Sequence, residues 1–177
     1  MKELLNGARK GNKYAFEEIV NRIYKKLYII AKAKLMDEQE AQEVVWDSLL
    51  TAHNKLWVLR DINKFNSWIT KIVINNCNSV IRKRKIQQVS FVCEKLDNNG
   101  TSESEYVDIE DNIDFFDLLS ELNDDERTII AMYYSEEYTT KEISETLKIN
   151  ENTIRSKIKR AKQKIKNKYD RSSCNER

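Results

Sequence analysis

The chain has 177 residues, enough for one domain or two small ones, and 40% of them are hydrophobic while 34% are charged. It contains no proline and only three glycines, which disfavours a β-rich fold with its many tight turns. No apolar run approaches the roughly 20 residues of a membrane span. The composition therefore predicts an all-α, cytoplasmic protein, in which Cys77, Cys93 and Cys174 are reduced thiols without a disulfide or metal pattern.

The net charge is only +2, but the charges are strongly segregated along the chain. Residues 94–126 carry thirteen acidic side chains and one basic one, whereas residues 155–171 carry nine basic side chains and one acidic one. A second basic block occupies residues 82–85. Such asymmetry indicates a polyanionic partner at the basic segments. The alternative is that these runs are simply solvated helix faces.

The first part of the chain has the apolar periodicity of helices. Residues 16–31, 45–56 and 65–80 each place apolar side chains at i, i+3, i+4 and i+7. Three such helices can close a small bundle over residues 1–85. Residues 86–112 are acidic and polar, with Asn98-Asn99-Gly100 as a turn signal, and we expect a flexible linker there.

Helical periodicity resumes at residue 113 and continues to residue 171, followed by a short tail at 172–177. Asn123 and three acidic residues favour a helix start, and Thr139 with Glu142 matches a capping box. Asn150 can cap the last, strongly basic helix. A short helix, a tight turn and a longer basic helix predict a helix-turn-helix.

A helix-turn-helix points to DNA because the N-terminal turns of its second helix meet base edges in the major groove. Here those turns present Glu151, Asn152, Thr153, Arg155 and Ser156. The dense basic charge that follows is suited to phosphates. The alternative is a basic amphipathic helix with no role in DNA binding.

Several motifs resemble the sigma-70 family of bacterial transcription initiation factors. LNDDER (122–127), TTKEIS (139–144) and NTIRSKIKRA (152–161) resemble its promoter-binding region 4. AQEVVWDSLLTA (41–52) and FNSWITKIVINN (65–76) resemble region 2, which binds the polymerase and the −10 element. Both regions occur in the family's order with only a linker between them, which is the layout of the extracytoplasmic-function (ECF) group.

The resemblance implies an alternative sigma factor with no catalytic activity of its own, no cofactor and no small-molecule substrate. Its implied partners are RNA polymerase core, through the β′ clamp helices and the β flap, promoter DNA, and an anti-sigma factor that holds the chain at the membrane in some members. The implied domains are region 2 at 1–85, the linker at 86–112 and region 4 at 113–171. The linker would cross the active-site channel of the polymerase, or serve as a simple tether.

The resemblance also assigns residues to each contact. The residues implied to bind the polymerase core are Glu43, Trp46, Asp47 and Leu50. The residues implied to bind the −10 element are Arg60, Asp61, Asn63, Lys64, Lys71, Asn75, Arg82, Lys83 and Arg84. The residues implied to bind the −35 element are Thr140, Asn152, Thr153, Arg155, Ser156, Lys157, Lys159 and Arg160.

Three further expectations concern single residues. Phe65 and Trp68 are aromatic groups that can stack on unpaired bases, although the position of Trp68 beside an apolar stripe favours a core role. Lys148 stands where the family often has glycine, so we expect backbone strain there. His53, the one histidine, is expected at the surface rather than as a catalytic base.

The main rival interpretation is a helix-turn-helix repressor or activator with a sensor domain in residues 1–85. Such a protein usually acts as a dimer on a palindromic site, whereas a sigma factor acts as a monomer on an asymmetric promoter. A pure interaction module is a second, weaker alternative.

Overall fold

The computed structural model describes residues 1–90, 113–134 and 138–175, and the regular elements in these ranges are all helical, as predicted. The helices are α1 (Lys2–Arg9), α2 (Lys13–Leu35), α3 (Glu38–Lys55), α4 (Phe65–Ser90), α5 (Ile113–Leu119), α6 (Asp124–Tyr134), α7 (Thr140–Leu147) and α8 (Glu151–Asn175). Two 3₁₀ turns, Leu56–Val58 and Ile62–Lys64, join α3 to α4.

The N-terminal helices α1–α4 surround one apolar core. Side chains of α2, α3 and α4 meet in it along the stripes predicted from the sequence, with Ile19, Val45 and Val73 fully buried. The helix α1 adds a fourth element to the expected three, because Leu5 inserts into the same core with 1% of its surface exposed. Asn12 and Asp37 cap α2 and α3 by accepting hydrogen bonds from the N–H groups of Ala15 and Glu40.

The C-terminal helices α5–α8 form a second apolar core around Ile129, Ile130, Ile143 and Ile154. Their starts follow the sequence signals. Glu126 donates its backbone N–H to the Asn123 side chain at 2.9 Å, and its carboxylate accepts from the Asn123 N–H at 3.3 Å. These reciprocal bonds satisfy N–H groups that a helix start leaves without intrahelical partners.

Two helices run beyond the predicted domain limits. The helix α4 continues to Ser90 rather than ending at 85, and α8 continues to Asn175 rather than 171. Residues 91–112, which hold most of the predicted acidic linker, lie outside the described residues, and so does Cys93.

The two helical domains pack against each other. Ile30 and Ala33 of α2 and Ile74 of α4 are buried in the C-terminal core, not in the N-terminal one. This contact could not be predicted from the sequence, because an apolar side chain in a stripe does not reveal which core receives it. Among the described helices, none is both long enough and apolar enough to span a bilayer.

Candidate nucleic-acid and protein interfaces

The helix-turn-helix consists of α7, a tight turn and α8. Thr139 accepts from the Glu142 N–H at 3.2 Å, while the Glu142 carboxylate accepts from the Thr139 N–H at 2.8 Å, so the predicted capping box is present. At the end of α7, Lys148 has φ 57° and ψ 41°, the left-handed conformation that favours glycine. The strain expected at this position is therefore confirmed. Asn150 then caps α8 by accepting from the Asn152 N–H at 2.9 Å.

One face of α8 is buried and the other is open to solvent. Ile154, Ile158 and Ala161 pack into the core against α7, as predicted. The predicted −35 residues on the opposite face are exposed, apart from the half-buried Lys157: Asn152, Thr153, Arg155, Ser156, Lys159 and Arg160. This face combines hydrogen-bonding groups at its N-terminal turns with positive charge further along, which suits a DNA groove.

Glu151 links the two helices, whereas the sequence predicted it only as one of the hydrogen-bonding groups at the start of α8. Its Oε1 accepts from the Thr140 hydroxyl at 2.8 Å and from Arg155 Nη2 at 2.8 Å. The hydrogen bonds from Arg155 and then Thr140 lower the pKa of Glu151 below its ordinary value. Glu151 therefore stays ionised and holds the Arg155 guanidinium at the exposed start of α8. The i, i+4 spacing of Glu151 and Arg155 was the sequence signal for this pair.

Three lysines of α8 contact side chains of α5 and α6 within the same domain. Lys164 pairs with the nearly buried Glu126 at 2.8 Å, and Lys168 pairs with Asp117 at 2.8 Å. Burial by itself would raise the pKa of Glu126, but the hydrogen bonds from Lys164 and the Asn123 N–H lower it overall. Lys162 lies over the Tyr133 ring at 4.6 Å. These lysines attach α8 to α5 and α6, so charge density alone overstates the DNA-binding surface.

The predicted −10 residues between α3 and α4 lie at the surface. Arg60, Asp61, Asn63 and Lys64 are exposed. Asp61 Oδ1 accepts from both the N–H and the side-chain amide of Asn63 at 3.0 Å, which fixes the turn before α4. This segment borders a cavity of about 470 Å³, and α7 of the C-terminal domain contributes its other wall.

The two aromatic residues at the start of α4 differ from each other. Phe65 is 2% exposed and is part of the N-terminal core, so the expectation that it stacks on bases is wrong. Trp68 is half-buried and packs against that core, with its ring 6.1 Å from the Phe65 ring. The apolar surroundings of both rings are consistent with a structural role.

Lys71 and Asn75 project from α4 toward the other domain. Both line a cavity of about 420 Å³ whose opposite wall includes Thr146, Lys148 and Ile149. In this arrangement the C-terminal domain faces the middle of α4.

The basic residues near the end of α4 differ in role: some are exposed to solvent, and one binds other helices of the domain. Arg82 and Lys83 are exposed. Arg84 is instead bound within the domain: its Nε donates to Glu40 at 3.0 Å and its Nη1 donates to the Leu35 carbonyl at 3.1 Å. It therefore fixes α4 to the end of α2 and the start of α3. The expectation that Arg84 contacts DNA fits this geometry poorly, because its donors are already engaged.

The predicted polymerase-binding residues form one exposed face of α3, which we call the α3 face: Glu43, Trp46, Asp47 and Leu50. Trp46 is 53% exposed and Leu50 is 63% exposed, although both are large apolar groups. The opposite face of α3 is fixed to α4 by a hydrogen bond from Asn76 Nδ2 to Ser48 Oγ at 2.9 Å. Apolar groups flanked by carboxylates at the surface are typical of a protein-binding site.

Cys77 and His53 are two further reactive side chains among the described residues. Among the described residues, no group of three His, Cys, Asp or Glu side chains is arranged to hold a metal. Cys77 is a free, buried thiol, and burial raises its pKa to about 12. His53 is exposed, as expected, and its ring contacts Phe16.

A family model described as "Sigma-70, region 4" matches residues 118–167, the segment that contains the helix-turn-helix. Curated relatives match over most of the chain. The ECF RNA polymerase sigma factor SigM of Mycobacterium tuberculosis is 23% identical over 92% of this chain and 81% of its own length. The ECF RNA polymerase sigma factor SigW of Bacillus subtilis is 24% identical over 94% of this chain and 95% of its own length.

Solved structures share the fold of most of the chain. The sigma factor RpoE of Bartonella quintana, solved with the anti-sigma factor NepR, superposes with a TM-score of 0.70 and 19% identity, covering 86% of this chain and 94% of RpoE. CnrH, solved with the cytosolic domain of CnrY, superposes with a TM-score of 0.68 and 20% identity, covering 94% and 95%. The region 4 match, the relatives along the chain and this fold agree: residues 118–167 match sigma-70 region 4, and the chain is similar over most of its length to ECF RNA polymerase sigma factors.

Proposed function

We propose that the chain is an alternative sigma factor that binds RNA polymerase core and directs promoter-specific initiation. The observation that carries this proposal is the α3 face, with two large apolar side chains exposed between two carboxylates. A dimeric repressor would also need an exposed apolar surface in this domain, but the carboxylates of Glu43 and Asp47 favour a basic partner over a second copy of the same face. A polymerase helix with basic and apolar side chains would complement it.

The DNA contacts are divided between the two domains. The exposed N-terminal turns of α8 support binding to the −35 element in the major groove, with Arg155 as a bidentate donor to guanine. Arg60, Lys64, Arg82 and Lys83 support contacts to the −10 element, because their charged side chains are exposed. Arg84 is left out of this set because it binds Glu40 and Leu35.

An anti-sigma factor is a further proposed partner. One solved neighbour is a sigma factor in complex with an anti-sigma factor, the other is CnrH in complex with the cytosolic domain of CnrY, and both align with most of this chain. We infer that this chain is controlled in the same manner in the cytoplasm, by a partner that covers one of its two binding surfaces.

The direct test is reconstituted transcription. Purified chain is mixed with RNA polymerase core that lacks any sigma factor, genomic fragments are added, and the transcripts are sequenced. Discrete start sites that share upstream −35-like and −10-like elements are expected. If the chain neither binds core nor starts transcripts, yet shifts a specific DNA fragment as a dimer, the repressor interpretation replaces the proposal.

Matched variants make the same test specific for the α3 face. Trp46→Ala combined with Leu50→Ala removes its apolar groups and is expected to weaken core binding at least tenfold, since buried aromatic and aliphatic anchors dominate interface energies. Tyr14→Ala removes a ring that is even more exposed, 83% accessible, on α2 of the same domain and is expected to leave core binding unchanged.

A further inference from the structure

The cavity of about 420 Å³ between the two domains, which we call the interdomain cavity, has a distinct chemical character. Its walls come from α2 and α4 of the N-terminal domain and from α6, α7 and the turn after α7 of the C-terminal domain. Its volume is within the range of pockets that hold small molecules. The side chains on its walls therefore decide which molecules it suits.

The charges on these walls are mostly positive. The charged side chains that line the cavity are three lysines, Lys34, Lys71 and Lys148, and one carboxylate, Asp125. Asp125 can offset one of the three ammonium groups, so two positive charges are in excess. Within the described part of the chain, Lys71 and Lys148 form no ion pair with another residue. The excess charge is therefore not neutralised by the protein itself.

Lys34 is the most unusual of the three lysines, because its side chain is only 3% exposed. A buried charge is costly unless it is paired and hydrogen-bonded, and an ammonium has three donors to satisfy. Asp125 lies 3.6 Å from the Lys34 ammonium, which is too long for a hydrogen bond, and its own side chain is 65% exposed. Among the described residues, no other acceptor bonds the ammonium. Its donors are therefore left for a group inside the cavity.

Uncharged polar groups extend the same pattern on α4 and α7. Asn75 and Asn78 of α4 line the cavity with amide side chains. Thr146 of α7 also lines it, is 6% exposed, and has a hydroxyl without a hydrogen-bond partner among the described residues. Buried hydroxyls in folded proteins nearly always have a partner. Hydrogen-bonding groups thus lie on walls that belong to both domains.

We propose that the interdomain cavity binds a small molecule that carries a phosphate or pyrophosphate group. A phosphoryl group has a charge of about −1.5 to −2 at pH 7 and three acceptor oxygens. It therefore matches both the excess of positive charge and the free donors, whereas a carboxylate has only one charge. Lysine ammonium groups are common ligands of phosphate. A small molecule fits better than a DNA backbone, since Lys34 is almost fully buried and both domains border the cavity.

The position of the cavity also predicts an effect on stability. Because its walls belong to both domains, the ligand binds only while the domains are in contact, and its binding stabilises the folded chain. At a ligand concentration ten times the dissociation constant, the melting temperature is expected to rise by about 3–6 °C.

The test measures binding and thermal unfolding of the full chain with three probes: inorganic phosphate, pyrophosphate and ATP. Calorimetric titration gives the affinity and the stoichiometry, and sodium chloride at matched ionic strength controls for screening. We expect one saturable site. Binding of inorganic phosphate or pyrophosphate as tight as that of ATP would show that the phosphate groups alone are recognised. Tighter binding of ATP would show that the nucleoside also contacts the walls.

Variants at two lysines locate the site. Lys34→Met replaces the buried charge with an apolar side chain of similar length, and it is expected to weaken binding at least tenfold without lowering the melting temperature of the unliganded chain. Lys148→Gln, at an exposed position of the other domain, is expected to weaken binding about threefold. Lys25→Met and Lys141→Gln make the same changes at exposed positions of α2 and α7 outside the cavity, and they should bind as the wild type does.

Three results would overturn the proposal. The absence of saturable binding by every probe would mean that solvent alone satisfies the lysines. Binding that is equally strong in Lys34→Met would place the anion elsewhere, on the basic face of α8. Binding of a short DNA duplex that depends on Lys34, with no binding of the small anions, would assign the cavity to DNA phosphates. None of these measurements requires RNA polymerase or a promoter, so their outcome is independent of the proposed role in transcription.

Discussion

Arginines two positions apart in the basic block of α4 have opposite roles. Arg82 is exposed and its guanidinium bonds only within its own helix, to the Asn78 carbonyl and to Ser79. Arg84 bonds Glu40 and the Leu35 carbonyl, on other helices. Two positions along a helix turn the side chain by about 200°, which is enough to move it from solvent to an interhelical contact. A basic block therefore has to be divided by helix face before any of its residues is assigned to DNA.

This division predicts different defects for the two alanine variants. Arg84→Ala is expected to lower the free energy of unfolding by about 1–3 kcal/mol, because the Glu40 carboxylate and the end of α2 lose their partner. Arg82→Ala is expected to change stability by less than about 0.5 kcal/mol and to weaken promoter binding with a reduced salt dependence. Urea unfolding and binding at two salt concentrations measure these effects. Equal stability of the two variants would contradict the role given to Arg84.

Lys148 provides a second prediction about a single residue. A non-glycine residue in the left-handed conformation costs roughly 1–2 kcal/mol. A glycine loses about 0.5–1 kcal/mol more conformational entropy on folding than another residue does. Lys148→Gly is therefore expected to raise the free energy of unfolding by about 0.5–1 kcal/mol. The control Lys141→Gly, at an exposed position inside α7, is expected to lower it by about 1 kcal/mol. A destabilised Lys148→Gly would show that the strain is compensated by contacts of the Lys148 side chain.

The helices themselves were predicted well because their signals are local. The stripes at 16–31, 45–56 and 65–80 and the caps at Asn123, Thr139 and Asn150 each depend on residues within one or two turns. The contacts that were missed join distant segments: Arg84 to Glu40, Tyr138 to Thr70 and Arg127 to Ala33. Periodicity identifies a buried helix face but not the surface that packs against it. Ile74 and Phe65 were therefore predicted correctly to lie in a helix, but the cores that receive their side chains were not predicted.

The pair of helices α7 and α8 carries a prediction about specificity. Glu151→Gln keeps the shape of the side chain but removes the charge that holds Arg155 and accepts from Thr140. Since Arg155 then samples several rotamers, we expect relaxed base preference at one position of the −35 element, with a change in overall affinity of less than about fivefold. Selection from a randomised −35 library measures this.

A control variant separates positioning from charge. Glu145→Gln makes the same change at an exposed site in α7 away from Arg155 and should retain the wild-type preference. If Glu151→Gln lowers affinity equally for all sequences, Glu151 affects phosphate contacts or the fold rather than the reading of a base.

The two domains are in contact through a shared apolar core. Ile74 belongs to a helix of the N-terminal domain but is buried, 7% exposed, in the C-terminal core. Domains joined through such a contact unfold together when the interface contributes a large part of the stability of either one. Neither domain can then be treated as an independent module in the free chain, although each has its own apolar core and its own binding surface.

This coupling can be measured because the three tryptophans, Trp46, Trp57 and Trp68, all lie in the N-terminal domain. Tryptophan fluorescence therefore reports that domain, while circular dichroism at 222 nm reports the helices of both. In the wild type the two urea transitions are expected to coincide. In Ile74→Ala, which removes about 2–5 kcal/mol of burial from the contact between the two domains, the two transitions are expected to separate.

Ile69→Ala changes a buried residue of the N-terminal core and serves as the control. It should shift both transitions together, because it weakens one domain without releasing it from the other. Separate transitions in the wild type would mean that the domains are already independent and that the contact between them contributes little to the stability of either.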